Sequence, residues 1–331
     1  MKIRDIKRFW QRLRTLRLPP PALLSMLYLV AIAVGSLLLM LPMSHNGNVG
    51  ISDAIFTSAS AVTVTRLTVL DTGSEFTLFG QMVIAVLIQL GGLGLMTFAV
   101  LLLLALGIPI GMPQRVLLRE NLNQSTTTSN LFVLSRLIIA IAIACEIVGT
   151  IALSFVFMPE FGFWAGLWQS LFHSISAFNN AGIQLFPNGL ANWVGDPIVN
   201  ITIPALFIVG GLGFIVVGDI YQKRAWKPLS LHSKLMLVGT GILIVFGSVG
   251  FGLLEWSNPD TLGALGHVQD KLWASWFQGV SPRTAGFNTV NIGGLHDSTS
   301  ILMMGLMLVG GGSTSTAGGI KVTTLAVLIL A

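Results

Sequence analysis

The alternation of long and short apolar segments is the feature of this chain that most constrains its fold. A helix needs about 20 apolar residues to cross the hydrocarbon core of a bilayer. Segments of about that length are residues 22–43, 78–106, 131–157, 198–220, 234–254 and 300–330. Shorter apolar segments are residues 51–63, 165–178 and 270–280. The order long, short, long recurs along the chain, which predicts an all-α integral membrane protein of repeated helix–pore-helix–helix units.

The composition excludes a soluble protein. Hydrophobic residues make up 53% of the chain and charged residues only 9%, whereas about a quarter of the residues of a soluble domain are charged. The excess of basic residues does not indicate a nucleic-acid partner, because these residues lie beside the apolar segments. The single cysteine, Cys145, lies inside an apolar segment and excludes a disulfide framework.

Residues 1–21 form a basic segment whose only acid is Asp5. The next apolar segment has the length of a span and no small-residue cleavage site, so we expect a retained first span, not a signal peptide. Basic residues concentrate on the cytoplasmic side of membrane proteins. We therefore expect the N-terminus and the loops near residues 115–136 and 223–234 in the cytoplasm, with most acids at an outer mouth that attracts cations.

A polar stretch follows each short segment, at residues 63–67, 178–184 and 282–289. Irregular backbone at membrane depth is tolerated only where it is buried in protein or lines a water-filled cavity. A selectivity filter needs backbone carbonyls that point to one axis, and glycine permits the positive φ that this arrangement requires. The three stretches therefore predict a pore with a filter. Its expected residues are Thr63, Val64, Thr65, Arg66, Asn180, Ala181, Gly182, Thr284, Ala285 and Gly286.

Glycine-rich sequences recur in the second long segment of each unit. In the first two, QLGGLGLMTF at 89–98 and IVGGLGFIVV at 208–217, close helix packing is the favoured interpretation. The third, LVGGGSTSTAGGIKV at 308–322, contains too many small and polar residues for a stable helix and predicts a broken span that faces a cavity. The expected loop residues are Gly310, Gly311, Gly312, Ser313, Thr314, Ser315, Thr316, Ala317, Gly318, Gly319 and Lys321.

Four motifs resemble the Trk/Ktr/HKT superfamily of potassium transporters, and the bacterial Ktr-type membrane subunit most closely. They are FTSASAVTVTRLTVLDTG, FHSISAFNNAG, SPRTAGFNTV and GGGSTSTAGGIKVTT. The resemblance implies four units around one pseudo-symmetric cation pore, each with one filter strand and a central glycine. It also implies potassium as the transported ion, bound at Thr65, Gly182 and Gly286, and a gate at residues 310–320.

The resemblance further implies a multi-pass protein of the bacterial inner membrane. The implied partners are a second copy of the chain, in a homodimer, and a cytosolic nucleotide-binding regulatory subunit. Sodium dependence stays open, and no cofactor is expected in this chain. The chain has no phosphate-binding loop, no H-E-x-x-H and no nucleophile elbow, so we do not expect an enzyme.

Two departures from the family leave two interpretations open. The expected divisions are a basic segment at 1–21 and units at 22–107, 131–222 and 231–331, with a fourth unit absent. Arg66 stands where the family has the filter glycine of the first unit. The chain is either a potassium uptake subunit or a truncated, non-conducting fragment of one. Arg66 either obstructs the pore or extends to the outer mouth to meet Asp71 or Glu75.

Other polar residues in the apolar segments also have alternative roles. Glu146 either holds a neighbouring helix by a hydrogen bond or acts near the pathway. Lys321 either controls the gate or tethers it. Arg283 is expected to brace the filter by pairing with a pore-helix acid, and Asn179 and Asn180 by side-chain hydrogen bonds. The histidines show no metal-ligand spacing.

Overall fold

The computed structural model describes residues 20–47, 49–94, 128–312 and 315–330. These residues form helices joined by loops, with isolated β-bridges at His45–Phe76 and Val309–Ile320. The predictions for the basic N-terminal segment, for the end of the predicted span 78–106, and for Ser313 and Thr314 lie outside the described residues.

The first unit begins with α1 (Pro20–Leu39) and continues with α2 (Ile51–Thr63), α3 (Thr72–Glu75) and α4 (Leu78–Gly92). The pore helix α2 has the bounds predicted from the sequence. Its first turn is held by the Asp53 carboxylate, which accepts a hydrogen bond of 3.1 Å from the Gly50 backbone N–H. It ends where the backbone turns left-handed, which fixes the direction of the chain that follows.

The second unit contains α5 (Thr128–Phe161), α6 (Phe163–Phe178), α7 (Pro197–Leu212) and α8 (Phe214–Lys223). The Asp196 side chain caps α7 by accepting from two backbone N–H groups of its first turn. The third unit follows.

The third unit contains α9 (Leu231–Glu255), α10 (Val268–Thr284), α11 (Asp297–Leu308) and α12 (Val322–Leu330). The predicted break in its last span is confirmed, since the helix stops after Leu308 and resumes at Val322.

Span length distinguishes the helices of the described part of the chain. Leu137–Phe161 and Leu231–Glu255 are long and apolar enough to cross a membrane. The pair α7 and α8 has the composition of a third span but is bent by 95°. The predicted span over 198–220 thus consists of two helices, a break that its apolar length did not indicate. The bend lies at Gly213, whose φ of 94° ends the helix. Glycine adopts this positive φ readily because it has no Cβ atom.

The distribution of polar and apolar side chains fits a lipid environment. Leu29, Phe155 and Leu253 expose 67%, 69% and 78% of their surfaces. In contrast, Ser174 and Asn180 are fully buried. Lipid accommodates apolar side chains, while polar groups at membrane depth face the protein interior.

Glycines bring each pore helix close to the helices beside it. A Cβ atom on Gly35 or Gly149 would collide with the hydroxyl of a pore-helix serine, Ser58 or Ser174. The third unit has the same contact in reverse, with Gly279 on the pore helix against the backbone of α9. Such close approach is the usual role of small residues in membrane helices.

The first two glycine-rich sequences also pack as predicted. A Cβ on Gly91 would collide with the carbonyl of Val62, and one on Gly210 with the carbonyl of Phe178. These carbonyls lie at the ends of the first two pore helices, so the close-packing interpretation is confirmed. The glycines also mark where α4 and α7 end, which the sequence interpretation did not include.

Candidate ion pathway

Three backbone turns, one after the end of each pore helix, lie close together. Arg66, Gly182 and Gly286 have φ values of 67°, 65° and 80°. A Cβ placed on Gly286 would lie 3.1 Å from Arg66 Cβ, and one placed on Gly182 would lie 3.3 Å from Arg66 Cβ and from Gly286 Cα. We call the segments 64–67, 180–183 and 285–287 filter strands 1, 2 and 3. Their left-handed residues converge at one place, as a filter requires.

The structure distributes the predicted filter residues unevenly. Thr63 and Thr284 are the last residues of their pore helices, so the strands begin one residue later than expected. The Thr65 hydroxyl contacts Ser60 Oγ at 3.1 Å and is thus turned toward the pore helix. Ala181 and Ala285 are buried, and the carbonyl of Ala285 faces Gly182. In the first two strands a second left-handed residue precedes the first by two positions: Val64 and Asn180.

A serine near the end of each pore helix braces the strand that follows it. Ser60 Oγ donates to the Leu67 carbonyl at 2.6 Å, Ser176 Oγ to Ile183 at 2.7 Å and Ser281 Oγ to Phe287 at 2.5 Å. The backbone carbonyls of the same serines accept from Thr65, Ala181 and Gly286 N–H. Sequence reasoning missed these residues, although their recurrence at a similar distance before each strand was a readable signal.

Filter strand 2 has further support that the sequence did not reveal. The His173 ring lies fully buried against Phe186, with ring centroids 4.7 Å apart. Its Nδ1 lies 2.8 Å from the Gln169 carbonyl, and its Nε2 accepts from the Leu185 N–H at 3.3 Å. In this assignment the ring is neutral, with the proton on Nδ1. It fixes the chain just after the strand.

Arg66 points across the filter. Its Nε donates to the carbonyl of Asn180 at 3.1 Å, and its aliphatic stem lies against Gly286. Among the described residues, Arg66 makes no ion pair with Asp71 or Glu75. Asp71 instead caps the short helix α3. The geometry therefore favours the obstructing orientation of Arg66 over the extended one.

Two cavities lie on either side of the strands. The cavity of about 870 Å³, called the outer cavity after the orientation expected from the sequence, is lined by Gly182 together with Asp71, Asn188 and Asn288. The inner cavity, of about 290 Å³, is lined by Thr63 and Val64 on one side and by residues 315–318 on the other. The order is thus outer cavity, filter strands, inner cavity and glycine-rich loop.

The glycine-rich loop of the third unit closes on itself and docks on the second unit. Its base is held by hydrogen bonds of 3.0 Å from Gly310 N–H to the Ile320 carbonyl and of 2.9 Å from Ile320 N–H to Leu308. Its far part reaches the broken end of α7, where Gly312 N–H donates to the Gly211 carbonyl at 2.9 Å.

Asn180 connects this loop to the filter. Its side-chain amide contacts Thr316 Oγ1 at 2.5 Å. With its oxygen turned to that hydroxyl, the amide nitrogen also donates to the Thr284 carbonyl at 2.9 Å and to Phe207 at 3.2 Å. Thr316 Oγ1 lies 3.2 Å from the carbonyl of Phe178. Thus one buried amide joins strand 2, the end of α10 and the predicted gate.

Two other charged residues differ in their surroundings. Arg283 is 5% exposed, and its Nη2 donates to Thr240 Oγ1 at 3.1 Å. The expected pairing of Arg283 with a pore-helix acid is wrong for the described residues, because the acid of α10, Asp270, lies at the opposite end of that helix. Lys321 is exposed just before α12, so both of its interpretations stay open. No group of three or more potential metal ligands occurs in the described ranges.

Half-length helices that end in converging turns between two cavities define a multi-pass membrane transport protein of the re-entrant pore type. The family model TrkH, a cation transport protein, matches residues 24–331. The chain belongs to this family.

Named relatives and a solved structure agree with this membership. The chain is 48% identical to the Ktr system potassium uptake protein B of Bacillus subtilis (strain 168), over 96% of this chain and 71% of that protein. It is 42% identical to the protein of the same name from Vibrio alginolyticus, over 94% and 68%. It is 38% identical to the potassium/sodium uptake protein NtpJ of Enterococcus hirae, over 95% and 69%.

The fold is similar to the crystal structure of the potassium transporter TrkH from Vibrio parahaemolyticus, with a TM-score of 0.73 and 20% sequence identity. The match covers 96% of this chain and 62% of the solved chain.

Proposed function

We propose that this chain is the pore-forming subunit of a Trk/Ktr-type potassium uptake system. The convergence of three left-handed filter residues between two cavities is the observation that carries the proposal. Backbone carbonyls can replace the hydration shell of potassium at such a place. Potassium would contact strand carbonyls near Thr65, Gly182 and Gly286.

The finer assignments rest on the resemblance and the relatives. The protein would lie in a bacterial inner membrane with a cytoplasmic N-terminus. Two copies of the chain would form a homodimer, and this homodimer would bind a cytosolic nucleotide-binding regulatory subunit. The chain would carry no cofactor and catalyse no reaction. Sodium is a second candidate for the transported ion, since the Enterococcus relative is named a potassium/sodium uptake protein.

The orientation of Arg66 supports a second, narrower candidate, a subunit whose filter is obstructed by its own side chain. The guanidinium donates to the same carbonyl, that of Asn180, which a dehydrated cation would use. A like charge about 4 Å away costs about 4 kcal/mol at an effective dielectric constant of 20. That cost lowers potassium occupancy by roughly a thousandfold.

Rubidium uptake by uptake-deficient bacteria tests both candidates. We expect cells with the unchanged chain to resemble cells with an empty vector, and Arg66→Gly to raise uptake strongly. The matched control is Arg224→Gly, which removes an arginine from another left-handed position, at the end of α8. That control should leave uptake unchanged.

The outcomes separate the candidates. Strong uptake by the unchanged chain would reject obstruction and retain the transport function. Absence of uptake in both the unchanged chain and Arg66→Gly, with the protein present in the membrane, would reject both the uptake function and obstruction by Arg66 alone.

A further inference from the structure

Glu146 is a buried carboxylate with no cation beside it among the described residues. It lies in the span part of α5 and is 7% exposed. The ion pair of the described chain is Lys223–Asp219, on another helix. An ionisable group at membrane depth is costly and usually functional or paired with a specific partner.

The carboxylate holds the amide of Asn179, the residue that ends pore helix α6. Asn179 Nδ2 lies 3.1 Å from Glu146 Oε1, 2.7 Å from Gln89 Oε1 and 2.9 Å from the Ile175 carbonyl. Three acceptors thus share the two N–H groups of this amide, with the contact to Glu146 the longest, and the Asn179 oxygen is left buried without a partner. The acceptors dictate which way this amide points.

A comparison of the units shows that the carboxylate is not needed for helix packing. Ser174 Oγ donates to the backbone carbonyl of Glu146 at 2.8 Å. In the first unit, Ser58 Oγ makes the same contact with the carbonyl of Ile32, at 2.9 Å. The packing contact therefore needs only the backbone carbonyl of Glu146 and not its side chain. In the first unit, the equivalent residue is the isoleucine Ile32.

The contacts of Asn179 lead directly to the filter. Asn180 follows it in the chain, has a φ of 55°, and presents its carbonyl to Arg66. Gly182 lies two residues further along the same strand. Gln89 belongs to α4 of the first unit, so the cluster also ties filter strand 2 to the neighbouring unit.

We infer that Glu146 is a positioning residue for filter strand 2 and that, through Asn179, it determines the preference for potassium over sodium. The inference rests on the proposed transport function. Because the carboxylate fixes the amide, it fixes the carbonyl of Asn180 against the axis. A looser carbonyl adapts to the smaller sodium ion, so the preference falls when the carboxylate is removed.

The test compares rubidium and sodium uptake by the full chain carrying Arg66→Gly. Adding Glu146→Ile, which copies the first unit, should lower the rubidium-to-sodium uptake ratio by a few-fold to about tenfold, as expected for the loss of one hydrogen bond of ordinary strength. It should also raise the concentration of rubidium for half-maximal uptake. Glu146→Gln retains an acceptor and should give a smaller change.

Thr150→Val is the matched control. Thr150 lies one turn further along α5, is also buried, and donates within its own helix to the Glu146 carbonyl at 2.7 Å. Its removal should leave the ratio unchanged. An equal fall in rubidium and sodium uptake in Glu146→Ile, with an unchanged half-maximal concentration, would indicate a merely structural role and overturn the inference.

Hydrogen exchange of the purified full chain tests the positioning role of Glu146 without a transport assay. If Arg66→Gly takes up no rubidium, the proposed function fails, but the positioning role still predicts an effect. Exchange at the Ala181 N–H, which donates to Ser176, should be faster in Glu146→Ile than in Thr150→Val. Equal exchange in these two variants would reject the positioning role.

Discussion

Filter strands 1 and 2 have nearly the same backbone conformation, but different side chains surround and support them. The left-handed residues differ by only 2° in φ, since Arg66 has 67° and Gly182 has 65°. Each strand is braced by a pore-helix serine. However, strand 2 is also held by His173 and by the Glu146–Asn179 contact, and no side chain occupies its turn.

The comparison separates two roles of a filter glycine. An arginine can take the left-handed conformation when the serine brace and the neighbouring strands hold the backbone, although it is unfavourable for a residue with a Cβ. However, the arginine side chain fills space on the pore axis, because its aliphatic part lies against Gly286. The glycine is therefore needed mainly for the open path.

The largest effect is expected when the arginine is moved to another strand. In the Arg66→Gly chain, adding Gly286→Arg should abolish rubidium uptake again, since a guanidinium near the axis lowers cation occupancy by roughly a thousandfold. The site has room, because the atoms nearest to a Cβ on Gly286 belong to Arg66 itself. Retained uptake in this variant would show that an arginine prevents transport only at position 66 and that the filter strands are not equivalent.

The next effect concerns the space around each turn. Gly182→Ala should destabilise the protein by about 2–4 kcal/mol, because a Cβ there is strained and collides with the Ala285 carbonyl. Arg66→Ala keeps a Cβ that strand 1 already accommodates, so it should cost less than about 1 kcal/mol. Thermal unfolding in detergent measures both variants. Equal losses would mean that the two turns are equally crowded.

The glycine-rich loop, the predicted gate, is hydrogen-bonded to Asn180 of strand 2, and among the described residues no hydrogen bond joins it to strand 1. Thr316→Val removes the hydroxyl that contacts Asn180 and the Phe178 carbonyl. In the Arg66→Gly chain we expect rubidium uptake to rise about threefold, since a lost hydrogen bond of roughly 0.5–1.5 kcal/mol favours the undocked loop. Thr323→Val, in α12 beyond the loop, serves as the control. Unchanged or lower uptake in Thr316→Val would argue against a closing role for this contact.

The smallest effect is expected from the serine braces. Ser60→Ala and Ser176→Ala each remove one hydroxyl and should cost about 1 kcal/mol of stability. Since strand 2 has additional supports, Ser176→Ala should disturb its strand less than Ser60→Ala does. Proteolysis or hydrogen exchange at residues 64–67 and 180–183 measures this difference. A greater disturbance of strand 2 would show that strand 1 is the more strongly supported of the two.

Several features could be predicted from the sequence because they depend on local chemistry. Apolar length predicted the two long spans, Leu137–Phe161 and Leu231–Glu255, and the half-length pore helices, of which Ile51–Thr63 has the bounds that its apolar run indicated. The density of glycine, serine and threonine determined the break after Leu308, because such residues cannot sustain a helix. The turns at Gly182 and Gly286 were predicted from the single glycine that follows each of two short apolar segments, whereas the turn at Arg66 was matched to a filter glycine only by the family resemblance.

Only the tertiary structure decided which distant groups meet. The partners of Arg66 and Arg283 lie on other units or helices, 114 and 43 residues away along the chain, and are a carbonyl and a hydroxyl instead of carboxylates. The 95° bend at Gly213 likewise provides carbonyls on which the loop of the third unit docks. Hydrogen bonds act over about 3 Å, so their partners are set by how helices pack, which the local pattern of residues does not specify.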